Sequence, residues 1–217
     1  MRLDPFYLIV DRASWLPRLL PQGVRLVQLR IKDQPEALVR SDIATARDLC
    51  AAAGAQLIVN DYWQIAIDER CDFVHLGQED LDGADVAAIR RHGLRLGVST
   101  HDEAELDRAL SVAPDYVALG PVYPTILKAM AWAPQGVSRV GDWKQHVGDT
   151  PLVAIGGLTP DRGREVLQAG ADSAAVVTDV LRNADPEARA REWVASTQPW
   201  RIPASQQGRQ PLPRNSG

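Results

Sequence analysis

A chain of 217 residues, 45% hydrophobic and 24% charged, is long enough for one large core and has the composition of an ordinary globular protein. Its formal charge of −4 and pI near 5.6 leave no bulk basic field for nucleic acid or an anionic membrane, so an anion must be held by a local cluster and the expected partners are small molecules. No apolar run approaches the roughly 20 residues that span a bilayer, the opening Met1-Arg2-Leu3-Asp4-Pro5 lacks the apolar stretch of a secretory signal, and Cys50 and Cys71 stand at no metal-type spacing, so the expected location is the cytoplasm.

Short runs rich in Val, Leu and Ile recur along the chain: Tyr7–Val10, Arg25–Leu29, Gln56–Val59, Phe73–Leu76, Arg95–Val98, Tyr116–Leu119, Leu152–Ile155 and Ala174–Val177. They lack strict alternation, which suits strands covered on both faces in a parallel sheet. Between them, Asp85–Arg91 and Asp102–Leu110 carry apolar residues at helical spacing with charges opposite. Thr100 with Glu103 reads as a capping box, Thr159-Pro160 and Asp185-Pro186 as caps before a first-turn proline, and Gly54, Gly93 and Gly170 as helix ends. Cys50 falls on the inward face of the run Ala46–Ala53 and reads as packing. Eight strand–helix units in about 200 residues predict a single α/β (β/α)₈ barrel with parallel strands over residues 1–198, rather than an open doubly wound sheet. After Trp200 the periodicity gives way to Pro, Gln and Gly, and residues 199–217 are expected to form a tail.

In such a barrel the reactive groups stand where strands end. Here those ends read Gln28-Leu29-Arg30-Ile31-Lys32, Asn60-Asp61, Gly77-Gln78-Glu79-Asp80, Ser99-Thr100-His101, Thr125 to Lys128, Gly156-Gly157 and Thr178. Asp61 and Asp80 end neighbouring units and can share one cation; Mg²⁺ fits, since it takes hard oxygens from one or two carboxylates and fills its octahedron with water and phosphate. The competing reading makes each a cap of the helix that follows. Arg30, Lys32 and Lys128 suit a diphosphate beside that cation, or else are solvated surface charges. Gly156-Gly157 with the turn after Val177-Thr178 suits a second phosphate, or is a tight turn. His101 reads as a helix-end residue rather than a catalytic one. The Pro121–Pro134 segment with Gly136 reads as a long loop that closes over substrate.

In order, Val27 to Lys32, Val59-Asn60-Asp61, His75 to Asp80, Gly97-Val98-Ser99, Gly120 to Thr125 with Lys128, and Ala154 to Leu158 resemble the strand ends of the thiamine-phosphate synthase family, over roughly residues 6–195. The resemblance implies a transferase that joins hydroxymethylpyrimidine diphosphate to a thiazole phosphate and releases diphosphate. It assigns Gln28, Arg30, Lys32, Asn60 and Lys128 to the pyrimidine diphosphate, Asp61 and Asp80 to Mg²⁺, Ser99 to the pyrimidine side of the site, and Thr125, Gly157, Val177 and Thr178 to the thiazole phosphate. Arg30, Lys32 and Lys128 would carry the catalysis by stabilising departing diphosphate. One departure is Leu127, where the family often has a second hydroxyl before the lysine. Two alternatives stand beside this reading: a thiazole tautomerase, which carries a histidine in place of Pro121 and needs no metal pair, and a silent barrel that binds thiamine-pathway phosphates. The residues present no interface pattern, which leaves a homo-oligomer open.

Overall fold

A computed structural model describes residues 2–125 and 133–201. Eight parallel strands close in sequence order: β1 (Phe6–Val10), β2 (Leu26–Leu29), β3 (Gln56–Asn60), β4 (Phe73–Leu76), β5 (Arg95–Thr100), β6 (Tyr116–Leu119), β7 (Leu152–Ile155) and β8 (Ser173–Val176), with β8 pairing back onto β1 through Tyr7 opposite Ala175. The helices around them are α1 (Leu16–Leu19), α2 (Glu36–Ala53), α3 (Trp63–Asp68), α4 (Gln78–Asp82), α5 (Val86–Arg91), α6 (Glu103–Ser111), α7 (Val137–Val147), α8 (Pro160–Gln168), α9 (Thr178–Leu181) and α10 (Pro186–Thr197). The expected barrel is therefore present, and each apolar run became a strand within a residue or two of its expected ends.

Strand alternation divides the interior into two cores. Phe6, Leu8 and Val10 of β1, with their counterparts on the other strands, pack under the helices, where Trp193 of α10 stacks on Phe6 at 5.3 Å between ring centroids. Tyr7, Ile9, Leu26, Ile58, Phe73, Tyr116, Ala118, Val153 and Ala175 fill the lumen. At its amino end the lumen closes on charge: Arg95 sits over the Phe73 ring at 4.5 Å and bonds Asp72 at 2.6 Å, and the nearly buried Arg201 reaches Asp4 at 3.0 Å and the Gly23 carbonyl at 2.9 Å.

Helix ends follow local hydrogen-bond chemistry with one correction. Asp85, Thr159 and Asp185 accept from the amides of Ala88, Arg162 and Ala188, as N-caps do. The cap of α6 is Asp102, which accepts from Glu105 N at 2.9 Å, and the reciprocal carboxylate is that of Glu105, which accepts from His101 N at 2.7 Å. Thr100 is the last residue of β5 and gives its hydroxyl to the Ala118 carbonyl, so the Thr100–Glu103 capping box does not form; a strand two residues longer than expected took its threonine. Cys50 is buried on α2, where burial pushes its thiol up to about 12, the behaviour of a packing cysteine. Residues 198–200, which overlap the expected tail, form a 3₁₀ turn with Trp200 packed against the outer core.

Candidate active site

Three strand ends converge on a charged cluster. The chain leaves β2 with Arg30 N bonded to the Val10 carbonyl at 2.8 Å, and two residues later the Lys32 ammonium pairs with the Asp61 carboxylate. Asp61 follows β3 with φ of 64°, a left-handed conformation in which a non-glycine residue is uncommon, and its amide is tied to the His75 carbonyl at 2.9 Å. Its side chain is 14% exposed, against 47% for Lys32, so the carboxylate is the shielded partner. Asp80 lies in the first turn of α4, close enough for its carboxyl to meet that of Asp61.

Partial burial holds the Asp80 carboxyl above the ordinary carboxylate range, the neighbouring Asp61 charge pushes it the same way, and Lys32 opposes both. The capping reading explains little of this. The N-caps of α3 and α4 are Tyr62 and Gly77, neither of which bonds through a side chain, and only the Gly77 amide donates to Asp80. Gly77 also leaves space for that carboxylate, since a Cβ there would stand 3.1 Å from Asp80 Oδ2. Two carboxyls forced together, one resisting ionisation, make a donor set of hard oxygens that a divalent cation relieves, so the residues fit Mg²⁺.

Beneath this cluster a chain of polar side chains crosses the otherwise apolar lumen. Gln28 is buried and donates to the Tyr7 hydroxyl at 2.8 Å; Tyr7 meets Tyr116 at 3.0 Å; Tyr116 meets His75 Nδ1 at 2.7 Å; and His75 Nε2 meets Ser99 Oγ at 2.7 Å. Burial, with Arg30 nearby, drops the His75 imidazole to about 4, and burial raises both phenols, so all three rings are uncharged at neutral pH. Asn60 is buried at the end of β3, in register with His75.

The far side of the rim is built from backbone. Gly156 and Gly157 after β7 have φ of 104° and 63°, and a Cβ on them would stand 2.7 Å from Pro121 Cα and 2.3 Å from the Pro124 carbonyl oxygen. The segment after β6, entered through a cis Gly120–Pro121 bond, is laid along this turn by Val122 N on the Ile155 carbonyl (2.9 Å) and Tyr123 N on the Gly156 carbonyl (3.0 Å). Arg162 of α8 holds the Gly157 carbonyl at 2.7 Å and lies over the Tyr123 ring at 4.5 Å. Val177 packs toward the lumen at the amino end of α9, and Thr178 begins that short helix.

Against known proteins, the sequence profile of the family described as thiamine monophosphate synthase matches residues 6–180. The chain belongs to that family. It is 68% identical over 201 residues to a thiamine-phosphate synthase of Rhizobium etli, covering 93% of this chain and 98% of the relative. It is 49% identical over 192 residues to one of Cronobacter sakazakii, covering 88% of each. A solved thiamine phosphate pyrophosphorylase of Pyrococcus furiosus superposes with a TM-score of 0.81 at 26% identity, covering 91% of this chain and 96% of that one. As a member of the thiamine monophosphate synthase family the chain is an enzyme, a transferase of thiamine biosynthesis.

Of the residues expected at this family's site, Lys32, Asp61 and Asp80 come together directly, Arg30 lies close enough to His75 to act on its charge, and Gln28 and Ser99 are the two ends of one hydrogen-bonded chain. Gly157 stands in the turn after β7, Val177 and Thr178 stand at the start of α9 after β8, and Thr125 ends the first described part of the segment after β6. Lys128 and Leu127 lie outside the described residues, as does the middle of the expected closing loop. His101 bonds Glu105 through Nδ1 at 2.7 Å, as a helix-end histidine does. Tyr7, His75 and Tyr116 were missed as members of the site; the available signal was a polar group at an inward position of three otherwise apolar strands.

Proposed function

We propose that this enzyme condenses hydroxymethylpyrimidine diphosphate with thiazole phosphate, in the cytoplasm and with Mg²⁺, by a dissociative route. The observation that supports it most is the Asp61–Asp80 carboxyl contact with Lys32 on the Asp61 carboxylate, at the ends of adjacent strands. Asp61 and Asp80 would hold Mg²⁺, which when bound supplies positive charge to the leaving diphosphate. Arg30, Lys32 and Lys128 bind the diphosphate oxygens and gather the charge that grows there as the methylene C–O bond breaks, its electron pair leaving with diphosphate.

Gln28, Asn60 and Ser99 hold the pyrimidine against the polar chain in the lumen, where the resulting methylene cation is delocalised over the ring. Thr125, Gly157, Val177 and Thr178 hold the thiazole phosphate so that its ring nitrogen faces the cation and donates the lone pair that closes the new C–N bond. No general base is required, which agrees with a buried His75 whose pKa, down to about 4, makes it a weak base, and with His101 engaged at a helix end. An assay of thiamine phosphate formation from both substrates, with and without Mg²⁺, tests the reading. Synthesis is expected to collapse in EDTA and to return with Mg²⁺; full turnover without any divalent metal would sink the mechanism.

A further inference from the structure

Five side chains from five strands, Gln28, Tyr7, Tyr116, His75 and Ser99, form one unbroken hydrogen-bonded chain through the lumen, and its three middle members have no part in the chemistry above. Proton counting gives the chain a direction. Gln28 donates to the Tyr7 hydroxyl, whose single proton then goes to its other partner among the described residues, the Tyr116 oxygen. Tyr116, having accepted, gives its own proton to His75 Nδ1. A neutral imidazole that accepts at Nδ1 carries its hydrogen on Nε2 and donates it to Ser99 Oγ. The Ser99 hydroxyl proton is then directed away from the chain.

We propose that this chain is a positioning device: it locks His75 in the Nε2–H tautomer and so presents Ser99 as a hydrogen-bond donor, selecting a pyrimidine with an acceptor ring nitrogen at that point. This rests on the assignment of Ser99 to the pyrimidine made above. The surroundings are built for it. Tyr116 stacks on His75 with centroids 5.5 Å apart and planes 15° from parallel, and its ring occupies the space a side chain at Gly97 would need, since a Cβ there would stand 2.1 Å from Tyr116 Cζ. Gln78 holds the Ser99 carbonyl at 2.7 Å, which fixes the backbone that carries the hydroxyl. Rotating the Gln28 amide by half a turn would reverse every bond, put the hydrogen on His75 Nδ1 and make Ser99 donate inward, so the tautomer is the decisive readout.

¹⁵N spectra of labelled enzyme, with His75→Gln to identify the signals, are expected to show a protonated Nε2 and a bare Nδ1. Tyr116→Phe is expected to raise KM for the pyrimidine diphosphate about tenfold, to leave KM for the thiazole phosphate unchanged, and to cost nothing further in a Ser99→Ala background. The proposal is overturned by an Nδ1–H tautomer, by equal shifts in both KM values, or by losses from Tyr116→Phe and Ser99→Ala that multiply. A Ser99→Ala enzyme with unchanged KM removes the assignment beneath the proposal, whereas an impaired Ser99→Ala beside an unaffected Tyr116→Phe removes the proposal alone. Should Tyr116→Phe not fold, Tyr7→Phe breaks the chain one link earlier and is read by the same spectra, where a mixed tautomer supports the proposal and an unchanged one refutes it.

Discussion

On the proposed reading the two halves of the rim hold anions by different means. On the side of β2, β3 and β4 the means are charged side chains, with Lys32 on Asp61, Asp61 against Asp80, and Arg30 close by. On the side of β7 and β8 they are the shape of the main chain, two left-handed glycines pressed against Pro121 and Pro124 and a short helix that begins at Thr178. The difference matches the proposed chemistry. A diphosphate that departs gains charge during the reaction, and charge is met by ions; a phosphate that only anchors the second ring keeps its charge throughout, and fixed geometry is enough. One half should therefore fail when a charge is removed, and the other when space is filled.

The largest effect is expected from Asp61→Ala. It takes away one of two carboxylates and the partner of Lys32, and kcat/KM should fall by about a thousandfold or more, roughly 4 kcal/mol of transition-state stabilisation. The left-handed φ at Asp61 makes a folding control necessary, so the melting temperature is measured beside the rate; a stable variant that retains a tenth of wild-type activity would break the charge-based account of this half. A smaller loss, about a hundredfold in kcat/KM for the thiazole phosphate, is expected from Gly157→Ala, because the new Cβ would stand 2.3 Å from the Pro124 carbonyl oxygen at a φ of 63°. The pyrimidine diphosphate KM should move far less. Were it to rise as much, the two halves would be one mechanically coupled site.

How much of this contrast could be read from the residues alone follows from the range of the interactions. The eight strands were legible because each is a local apolar run closed by polar or glycine residues, and the residues at their ends followed from strand direction. Asp61 and Asp80 were legible as a pair because parallel neighbours bring successive strand ends together, although the part-capping bond from Gly77 to Asp80 was not. The Tyr7–Tyr116–His75 chain was not legible. It joins β1, β4 and β6 across the lumen, and which inward side chains meet there depends on the register of the closed barrel and on the missing side chain at Gly97, neither of which is written in any one segment. The Thr100–Glu103 cap failed for a related reason: tertiary pairing of β5 with β6 extended the strand over the threonine, and Asp102 two residues later was the better oxygen.

The smallest effect asks how deep the charge of the first half reaches. Burial keeps the His75 ring uncharged, with its pKa down to about 4 from an ordinary 6.5; the Arg30 charge works in the same direction and that of Asp80 against it. The unfolded chain therefore binds more protons than the folded one between those values. Stability carried by the neutral ring is complete above pH 6.5 and is lost as pH falls toward 4. Between pH 6.5 and 5.5 the loss should be about 1 kcal/mol. Asp80 works in the opposite sense, since its raised pKa lets the folded state take up a proton first as pH falls, so the comparison has to be between wild type and His75→Gln, in which only the imidazole is gone. Denaturant unfolding at the two pH values should show the wild type losing about 1 kcal/mol more than the variant. Equal losses would mean that the imidazole titrates as it does in water, and the boundary between the ionic rim and the uncharged lumen would then lie below His75 instead of above it.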